Sequence, residues 1–338
     1  MPNWIGDLIM GTPILADLRA AFPKSSITAM ALYPLCTLLE HDPHIDELFC
    51  FIKPHKMGRR KEKRNIIQKL KTGKYDLGIL LPNSFSSAWW FWQGNVKRRI
   101  GFSGNLRSLF LTQPLPFPKN RDSQHLVLTY KELLKPLQIP ISETIPHLYV
   151  TNKEREVAGE LLAQHGVKKE NILVGFNVGA AFGTAKCWLP ERFKEVADRL
   201  LQNPNIFTVF FGDINTAPAI KDICQELNSR AINLAGTTSL RELAALISLC
   251  DVLLTNDSGP MHIASALDIP LVALFGSTND ITTGPYNKKA KVIHKHVSCS
   301  PCYLRNCPID FRCMKNIEVD EVYQTVIEQI KTYAQKTL

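Results

Sequence analysis

Predominantly apolar runs alternate with amphipathic helical segments in the second half of the chain, and this alternation constrains the fold most strongly. Runs of strand length stand at residues 172–177, 206–211, 252–254 and 270–275. Pro190 opens one intervening helix and Ser239 caps another, and both helices carry the i, i+3, i+4, i+7 spacing of a buried face. Apolar strands separated by such helices predict a parallel, doubly wound α/β sheet.

The first half shows the same alternation more weakly, so the sequence predicts two α/β domains. Helical periodicity covers residues 8–22, and strands are expected at residues 26–30, 47–52 and 76–81. A proline-rich stretch before residue 172 marks the boundary. The predicted organisation is a domain at 1–165, a second domain at 166–316 and a last helix within 317–338. Two such units with a cleft between them suit a ligand that bridges both.

Composition and charge narrow the classes of function. The 338 residues are 45% hydrophobic and 21% charged, which is ordinary for a globular protein. No apolar run reaches membrane-spanning length and no leader is recognisable, so we expect a cytoplasmic protein. The net charge is +9, and the basic stretches 53–64 and 97–99 either attract a polyanion or form a solvated face. No nucleic-acid module accompanies them, so nucleic acid is not an expected partner.

Residues 256–262, with the sequence Asn-Asp-Ser-Gly-Pro-Met-His, predict a turn between a strand and a helix. Pro260 suits the first helical position, and Asp257 or Ser258 can cap the helix. The amides of such a first turn attract anions, and we expect a phosphate. They belong to Gly259, Met261 and His262. The alternative is an ordinary capped turn, and the His262 ring either binds a phosphate oxygen or braces the turn.

Four of the nine cysteines form a cluster, Cys299, Cys302, Cys307 and Cys313. Their spacing fits a small structural zinc site, a disulfide pair, or four reduced thiols in a loop, although a cytoplasmic location argues against disulfides. The other cysteines are scattered, and we expect them to be plain buried thiols. These are Cys36, Cys50, Cys187, Cys224 and Cys250.

Five motifs spread over nearly the whole chain resemble the ADP-heptose–lipopolysaccharide heptosyltransferases of glycosyltransferase family 9. They lie at residues 2–7 (Pro-Asn-Trp-Ile-Gly-Asp), 81–84 (Leu-Pro-Asn-Ser), 99–101 (Arg-Ile-Gly), 179–186 (Gly-Ala-Ala-Phe-Gly-Thr-Ala-Lys) and 256–262. The cysteine spacing also resembles one subgroup of this family. The resemblance implies the GT-B architecture, in which two Rossmann-like doubly wound domains face a cleft.

The same resemblance implies a reaction and its partners. An L-glycero-D-manno-heptose would pass from ADP-heptose to an inner-core heptose of lipopolysaccharide, with inversion at the anomeric carbon. The N-terminal half would take the anionic, lipid-linked acceptor and the C-terminal half the nucleotide-sugar. The enzyme would work peripherally at the cytoplasmic face of the inner membrane, and catalysis would need no cofactor.

The resemblance also assigns roles to individual residues. Asp7 matches the family's candidate general base, although it could merely cap its helix. Lys186 would neutralise the leaving diphosphate, and standing alone it would be read as a surface lysine. The nucleotide pocket would be lined by Thr237, Thr238, Asp257, Ser258, Gly259, Met261 and His262. The acceptor would contact Asn83, Ser84, Arg99 and Arg107.

Family members begin with a short apolar strand before the motif at residues 2–7, whereas Met1 stands there in this sequence, so we expect the N-terminal sheet to lack that inner strand. Residues 88–92, Ala-Trp-Trp-Phe-Trp, fit either a buried aromatic helix or a membrane interface.

The alternative functions are a GT-B enzyme with another sugar nucleotide or acceptor, and a non-catalytic sugar-nucleotide-binding protein.

Overall fold

The division of the chain falls at Pro146. The computed structural model describes residues 1–52, 59–334 and 336, and the chain separates into the units Met1–Pro146 and His147–Leu338. The predicted boundary after residue 165 therefore lies too late, because the helix at Asn152–Gln164 packs with the second unit. Residues 53–58 of the predicted basic stretch lie outside the described residues.

Unit 1 is built from short parallel strands and helices. Its strands are β1 (Thr28–Leu32), β2 (Glu47–Phe51), β3 (Leu77–Leu80), β4 (Arg98–Phe102) and β5 (Gln113–Leu115). Its α-helices are α1 (Ile5–Met10), α2 (Pro13–Ala21), α3 (Arg59–Gly73), α4 (Phe85–Gln93) and α5 (Leu126–Lys131). Single 3₁₀ turns occupy Leu35–Leu39, Arg107–Phe110 and Glu132–Leu137.

The strands of unit 1 form two parallel sheets, β1–β2 and β3–β4–β5. Within the described residues, β1 pairs only with β2, and β3 pairs only with β4. Helices α3 and α4 pack against the first sheet through Ile66 and Trp90, which contact Met30 and Phe49. A single continuous sheet is therefore absent from the part of unit 1 that the structure describes.

Two local predictions for unit 1 need correction. The helix predicted over residues 8–22 is broken into α1 and α2, because Pro13 starts a new helix at its first position and cannot donate the hydrogen bond that would continue the old one. Cys36 and Cys50 form a disulfide, with Cα atoms 5.7 Å apart, rather than two free thiols. The 3₁₀ turn that carries Cys36 lies against β2, and this brings the sulfur atoms together.

Unit 2 is one six-stranded parallel sheet covered by helices. Its strands are β6 (Ile172–Asn177), β7 (Ile206–Phe211), β8 (Ala231–Asn233), β9 (Val252–Asn256), β10 (Leu271–Phe275) and β11 (Ala290–His294). Its α-helices are α6 (Asn152–Gln164), α7 (Pro190–Leu201), α8 (Ala217–Gln225), α9 (Leu240–Ile247), α10 (Gly259–Ala266), α11 (Asp280–Thr283), α12 (Arg312–Lys315) and α13 (Val319–Tyr333). A 3₁₀ turn covers Thr184–Lys186. The predicted strands 172–177 and 206–211 are confirmed residue for residue.

The strand order of unit 2, β11-β10-β9-β6-β7-β8, contains a topological switch between β6 and β9. The chain runs outward from β6 to β8 and then returns to the other side of β6. At such a switch the loops that follow the two central strands diverge and open a crevice at the carboxyl edge of the sheet. The predicted motifs at 179–186 and 256–262 follow β6 and β9, so the fold places both at this crevice.

The described helices include none that is both long enough and apolar enough to cross a membrane.

An ion pair explains why α6 belongs to unit 2. Arg241 of α9 donates from Nε to Glu154 Oε1 at 2.7 Å and from a terminal nitrogen to Oε2 at 2.6 Å. Thr151 and Glu154 also form a capping box at the start of α6. Burial by itself raises the pKa of Glu154, but the hydrogen bonds from Arg241 and Thr151 outweigh it and hold that pKa at about 2.

We predict that Arg241→Met lowers the free energy of unfolding by about 1–3 kcal/mol at neutral pH, because the Glu154 carboxylate loses its charged partner. The pKa of Glu154 is about 2 in the fold against an ordinary 4.5. The contribution is therefore complete above pH 4.5 and disappears as the pH falls through about 2. Urea unfolding at several pH values should show the difference between variant and wild type shrinking in acid.

The control is Arg199→Met. Arg199 pairs with Asp320, whose side chain is 82% exposed, and such pairs contribute at most about 1 kcal/mol. A loss of stability in Arg241→Met no larger than in this control would contradict the prediction.

Candidate active site

Two buried asparagines join the loop after β6 to the turn after β9. Asn256, the last residue of β9, donates to the Val178 carbonyl at 2.6 Å and accepts from the Trp188 amide at 2.9 Å. Asn177, the last residue of β6, donates to Ser258 Oγ at 2.8 Å. Since each amide group spans both loops, the two motifs predicted from sequence form one rigid unit at the switch point.

Lys186 and Asp257 form an ion pair within this unit. The Lys186 Nζ lies 2.5 Å from Asp257 Oδ2, and the two side chains are 14% and 4% exposed. Thr278, just beyond β10, donates a further hydrogen bond to the same carboxylate at 2.5 Å. The ammonium also lies 4.9 Å from the centre of the Phe182 ring. Lys186 is therefore not a free surface lysine, and Asp257 serves as its counter-charge instead of capping α10.

The N-terminus of α10 lacks a side-chain cap. Ser258 occupies the N-cap position, but its hydroxyl makes no capping hydrogen bond and donates to the Asn256 carbonyl at 3.1 Å. The first-turn amides of a helix have no partner within the helix. They therefore remain suited to an anion at this end of α10, next to the Lys186 ammonium. Met261 and His262 are buried, at 0% and 6% exposure.

The predicted nucleotide-pocket threonines lie at the same edge of the sheet. Thr237 and Thr238 follow β8, which is two strands away from β6. Thr237 Oγ1 donates to the Leu234 carbonyl at 2.9 Å, and Gly236 adopts the left-handed φ of 74° that this turn requires. The Gly236 amide binds the Gly212 carbonyl after β7 at 2.9 Å, which ties the two loops together.

The cysteine-bearing loop packs directly against the site, a contact that sequence reasoning did not anticipate. The Ala185 amide donates to the Arg305 carbonyl at 2.9 Å, and the Arg305 guanidinium lies 5.3 Å from the Phe182 ring centre. Phe182 therefore has a cation near it from both Lys186 and Arg305. The only sequence signal for this contact is the glycine- and alanine-rich composition of residues 179–186, which is typical of a segment that packs closely against another part of the chain.

A cavity of about 140 Å³ lies under this loop. Ala185, Gly276 and Ser277 line part of it. The four clustered cysteines also line it, namely Cys299, Cys302, Cys307 and Cys313. Burial raises the pKa of the Cys313 thiol, and the three neighbouring thiols raise it further. The four thiols are all free, so no disulfide forms in the cluster. The cluster predicted from spacing is thus assembled around one cavity.

Asp7 lies in the first turn of α1 and is half-buried. The N-cap of this helix is Trp4, and it carries no side-chain cap. Asp7 therefore does not occupy the capping position that the alternative interpretation required. Burial raises the pKa of the nearby Tyr130 hydroxyl well above its ordinary value, and the Asp7 charge adds to this. Tyr130, on the short helix α5, was not identified from the sequence.

Three of the four predicted acceptor residues, Asn83, Ser84 and Arg107, lie together at the start of α4, but the Arg107 side chain is buried. Ser84 caps α4 by accepting from the Ser87 amide at 3.2 Å. Arg107 has no exposed surface; it donates to the Pro82 carbonyl at 2.5 Å and to Asn83 Oδ1 at 3.1 Å. Burial lowers its pKa to about 10. Direct contact between Arg107 and an acceptor does not fit this placement, because the guanidinium is enclosed.

Arg99 is also engaged with the backbone. Its guanidinium donates to the Phe110 carbonyl at 2.6 Å and to the Val96 carbonyl at 2.5 Å. Desolvation lowers its pKa. Both arginines therefore brace the 3₁₀ turn Arg107–Phe110, whereas Asn83 and Ser84 remain exposed.

Comparison with known proteins decides the family. Residues 63–311 match the sequence profile of glycosyltransferase family 9 (heptosyltransferase). The chain belongs to this family. It is therefore a glycosyltransferase.

Relatives of this family 9 enzyme extend over most of the chain. Lipooligosaccharide heptosyltransferase 2 of Haemophilus ducreyi is 34% identical over 305 residues, covering 86% of each chain. The solved structure of E. coli ADP-heptose LPS heptosyltransferase II is 28% identical, with a TM-score of 0.83 and coverage of 98% of this chain and 97% of that one.

A second solved structure, a family 9 glycosyltransferase from Veillonella parvula, is also 28% identical, with a TM-score of 0.87 and coverage of 98% and 95%. These matches confirm the predicted α/β, GT-B fold and the resemblance to the heptosyltransferases of family 9.

We predict that Gly183→Ala destabilises the site loop of this family 9 enzyme. A Cβ at Gly183 would stand 2.3 Å from the Arg305 carbonyl oxygen, and φ there is 154°. The clash would be with backbone atoms of Arg305, which cannot move aside as a flexible side chain could. We therefore expect the free energy of unfolding to fall by about 1–3 kcal/mol. Differential scanning calorimetry provides the measurement.

Gly159→Ala is the matched control, because an added Cβ at Gly159, inside α6, meets nothing within 4 Å. Alanine there should leave the melting temperature unchanged or raise it, since it favours helix by about 1 kcal/mol. Equal melting temperatures for Gly183→Ala and wild type would show that the loop tolerates the side chain.

Proposed function

We propose that this glycosyltransferase transfers L-glycero-D-manno-heptose from ADP-heptose to an inner-core heptose of lipopolysaccharide, with inversion. The observation that carries the proposal is the buried Lys186–Asp257 pair beside the uncapped N-terminus of α10, at the switch point of unit 2. A cation and a helix N-terminus together suit a diphosphate. The related proteins, heptosyltransferase 2 and ADP-heptose LPS heptosyltransferase II, indicate the donor and the acceptor class.

On the donor side, negative charge builds on the ADP oxygen as its bond to the anomeric carbon breaks. The amides of Gly259, Met261 and His262 would hold the phosphates before the reaction. The Lys186 ammonium would interact with both Asp257 and the developing negative charge on the diphosphate. Asp257, held by Thr278, would fix the position of that ammonium. Because the pair is desolvated, its interaction with new charge is stronger than it would be in water.

On the acceptor side, Asp7 would act as the general base. The acceptor hydroxyl would give its proton to the Asp7 carboxylate while its oxygen attacks the anomeric carbon. The bond from that carbon to the ADP oxygen breaks at the same time, and ADP departs with the electron pair. The neutral Tyr130 hydroxyl near Asp7 is a potential hydrogen-bond donor that would keep the carboxylate oriented.

Location and partners complete the proposal. The enzyme would act in the cytoplasm, peripherally at the inner membrane where its lipid-linked acceptor resides, and without nucleic acid. The exposed Asn83 and Ser84 are the predicted acceptor contacts that remain open to solvent, while Arg99 and Arg107 would act through the backbone they brace. Catalysis would require no cofactor.

The cluster of Cys299, Cys302, Cys307 and Cys313 would bind a structural zinc ion. Four thiols around one cavity are a donor set that zinc prefers. Among the described residues, no three of these sulfur atoms lie within 4.8 Å of one another. Zinc binding would therefore bring the sulfurs closer together, draw the loop inward and stiffen its contact with the segment that carries Lys186.

Elemental analysis of the purified protein tests the zinc site. We expect about one zinc per chain in the wild type, lost in Cys302→Ser and kept in Cys224→Ser, whose thiol lies elsewhere on α8. Metal-free protein with four titratable thiols in the cluster would show that they are simply reduced.

The proposed function is tested by ADP release from ADP-heptose, with and without a heptose-bearing inner-core acceptor. Release that requires both substrates supports heptosyl transfer. Transfer only from another sugar nucleotide, or to another acceptor, would favour a different glycosyltransferase of the same fold. Donor binding without transfer to any acceptor would favour a non-catalytic binding protein.

We predict that Asp7→Asn lowers turnover by roughly 10²-fold or more while donor affinity stays near wild type, because an amide cannot accept the proton. Steady-state kinetics and calorimetry with ADP measure the two quantities. Asp76→Asn, at an exposed aspartate paired with Lys97, is the control. Near-normal turnover in Asp7→Asn would show that Asp7 is not the general base.

We predict that Lys186→Ala lowers kcat more than it weakens ADP binding, because the negative charge on the leaving group is greatest in the transition state. A decrease of about 10²-fold in kcat is expected from the loss of one such stabilising group. Lys194→Ala, on the neighbouring helix α7, should behave as wild type. A rise in KM alone would mark Lys186 as a ground-state contact.

A further inference from the structure

An exposed apolar surface covers the outer side of α4 and the adjoining 3₁₀ turn of unit 1. Phe85 and Trp92 are 45% and 44% exposed, and Leu106 and Leu109 are 78% and 82% exposed. The Phe110 ring joins them, with centroid distances of 5.2 Å to Phe85 and 5.3 Å to Trp92. We call these five residues the apolar platform. A contiguous set of this kind on a protein surface marks a contact with a partner or a membrane.

Regular spacing places the platform side chains of α4 on a common face. Phe85 and Trp92 of the platform stand seven residues apart on α4, with the half-buried Trp89 between them at i+4, so all three lie on one side of the helix. Leu106, at the N-cap of the 3₁₀ turn, and Leu109, within it, lie on either side of the buried Arg107, and both are largely exposed. Both elements therefore present apolar residues outward, although Trp90 on the other side of α4 is buried.

Polar contacts hold the platform in place. Leu106 adopts the left-handed conformation, with φ 56° and ψ 9°, which is unfavourable for a leucine. Arg107 and Arg99 hold the 3₁₀ turn from beneath, and Asn105 Nδ2 donates to the Asn83 carbonyl at 3.1 Å. The fold thus maintains an unfavourable backbone conformation at a leucine whose side chain is exposed.

A basic helix flanks the platform. The Lys63 ammonium lies 5.7 Å from the Trp89 ring centre, and α3 packs on α4 through Ile66 and Leu70. The outer side of α3 carries the exposed residues Arg60, Lys61 and Arg64. Aromatic and leucine side chains beside a row of cations match the two parts of an anionic bilayer surface, its acyl boundary and its head groups.

We propose that the apolar platform, with α3 beside it, docks the protein onto an anionic lipid bilayer. The proposal rests on the proposed function in one respect, since a lipid-linked acceptor gives the enzyme a reason to sit at a membrane. A second copy of the chain is a poorer occupant, because a two-fold contact at this surface would bring the same cations of both copies to one interface.

Sedimentation with sucrose-loaded vesicles tests the proposal. The wild type should bind vesicles of phosphatidylethanolamine with phosphatidylglycerol, bind phosphatidylcholine vesicles less, and lose binding with added salt as the cations are screened. Leu106→Ser/Leu109→Ser should lower partitioning by at least about 10-fold. Ile214→Ser/Ile281→Ser is the matched control, since these unit 2 residues are 73% and 58% exposed, and it should bind as wild type does.

Two further measurements complete the design. Brominated anionic lipids should quench the fluorescence of the wild type more than that of Trp92→Phe, because Trp92 would reach the acyl boundary. Melting temperatures of all variants should match wild type, since the changed residues are exposed. Vesicle binding that is unaffected in the leucine variant, or absent in the wild type, would overturn the proposal.

Ultracentrifugation and activity assays separate the remaining outcomes. A wild-type dimer that the leucine variant dissociates, in the absence of vesicle binding, would overturn the proposal in favour of self-association. The leucine variant should transfer heptose to a soluble, delipidated acceptor as the wild type does. Transfer without vesicle binding would overturn the platform and leave the proposed function intact, whereas vesicle binding without transfer would support the platform and remove that function.

Discussion

The buried ion pair between Lys186 and Asp257 is the interaction around which the site of the second unit is built. Removing two charges from water is costly unless each is held by the other and by further hydrogen bonds. Here Thr278 supplies a further bond, and the asparagines at the ends of β6 and β9 align the two loops that carry the charges. The loops can meet only because β6 and β9 are neighbours at the topological switch.

The first unit also buries charge, although with fewer partners. Arg107 is enclosed and donates hydrogen bonds only from Nη1, to the Pro82 carbonyl and to Asn83 Oδ1, while its Nε and Nη2 have no partner among the described residues. Arg99 is bound largely to backbone carbonyls. Their bonds hold a short turn in a conformation that its own sequence does not favour. Residues that resemble acceptor contacts by motif thus act as supports, and the surface they hold up is apolar. The two arginines therefore contribute to unit 1 by stabilising the 3₁₀ turn and its surroundings.

A loop that is distant in sequence supports the segment that carries Lys186. The cysteine-bearing loop follows β11, yet it contacts the segment after β6 through Arg305 and encloses a cavity against Ala185. The loop is also tied to the end of β10, because the Tyr303 amide donates to the Ser277 carbonyl at 2.7 Å. Gly183 is required there because the Arg305 carbonyl occupies the space of a side chain.

The sequence by itself determined the strands 172–177 and 206–211, the amphipathic helices, the doubly wound class and the motifs after β6 and β9, because periodicity and turn chemistry are local properties. It also predicted the cysteine cluster from spacing. It did not predict the break at Pro13 in the first helix, the boundary at Pro146 or the Cys36–Cys50 disulfide. Nor could it show that Asp257 faces Lys186 instead of capping α10, that Tyr130 lies near Asp7, or that Arg107 is enclosed. These features are contacts between residues far apart in the chain, and only tertiary packing decides which distant charges and side chains meet.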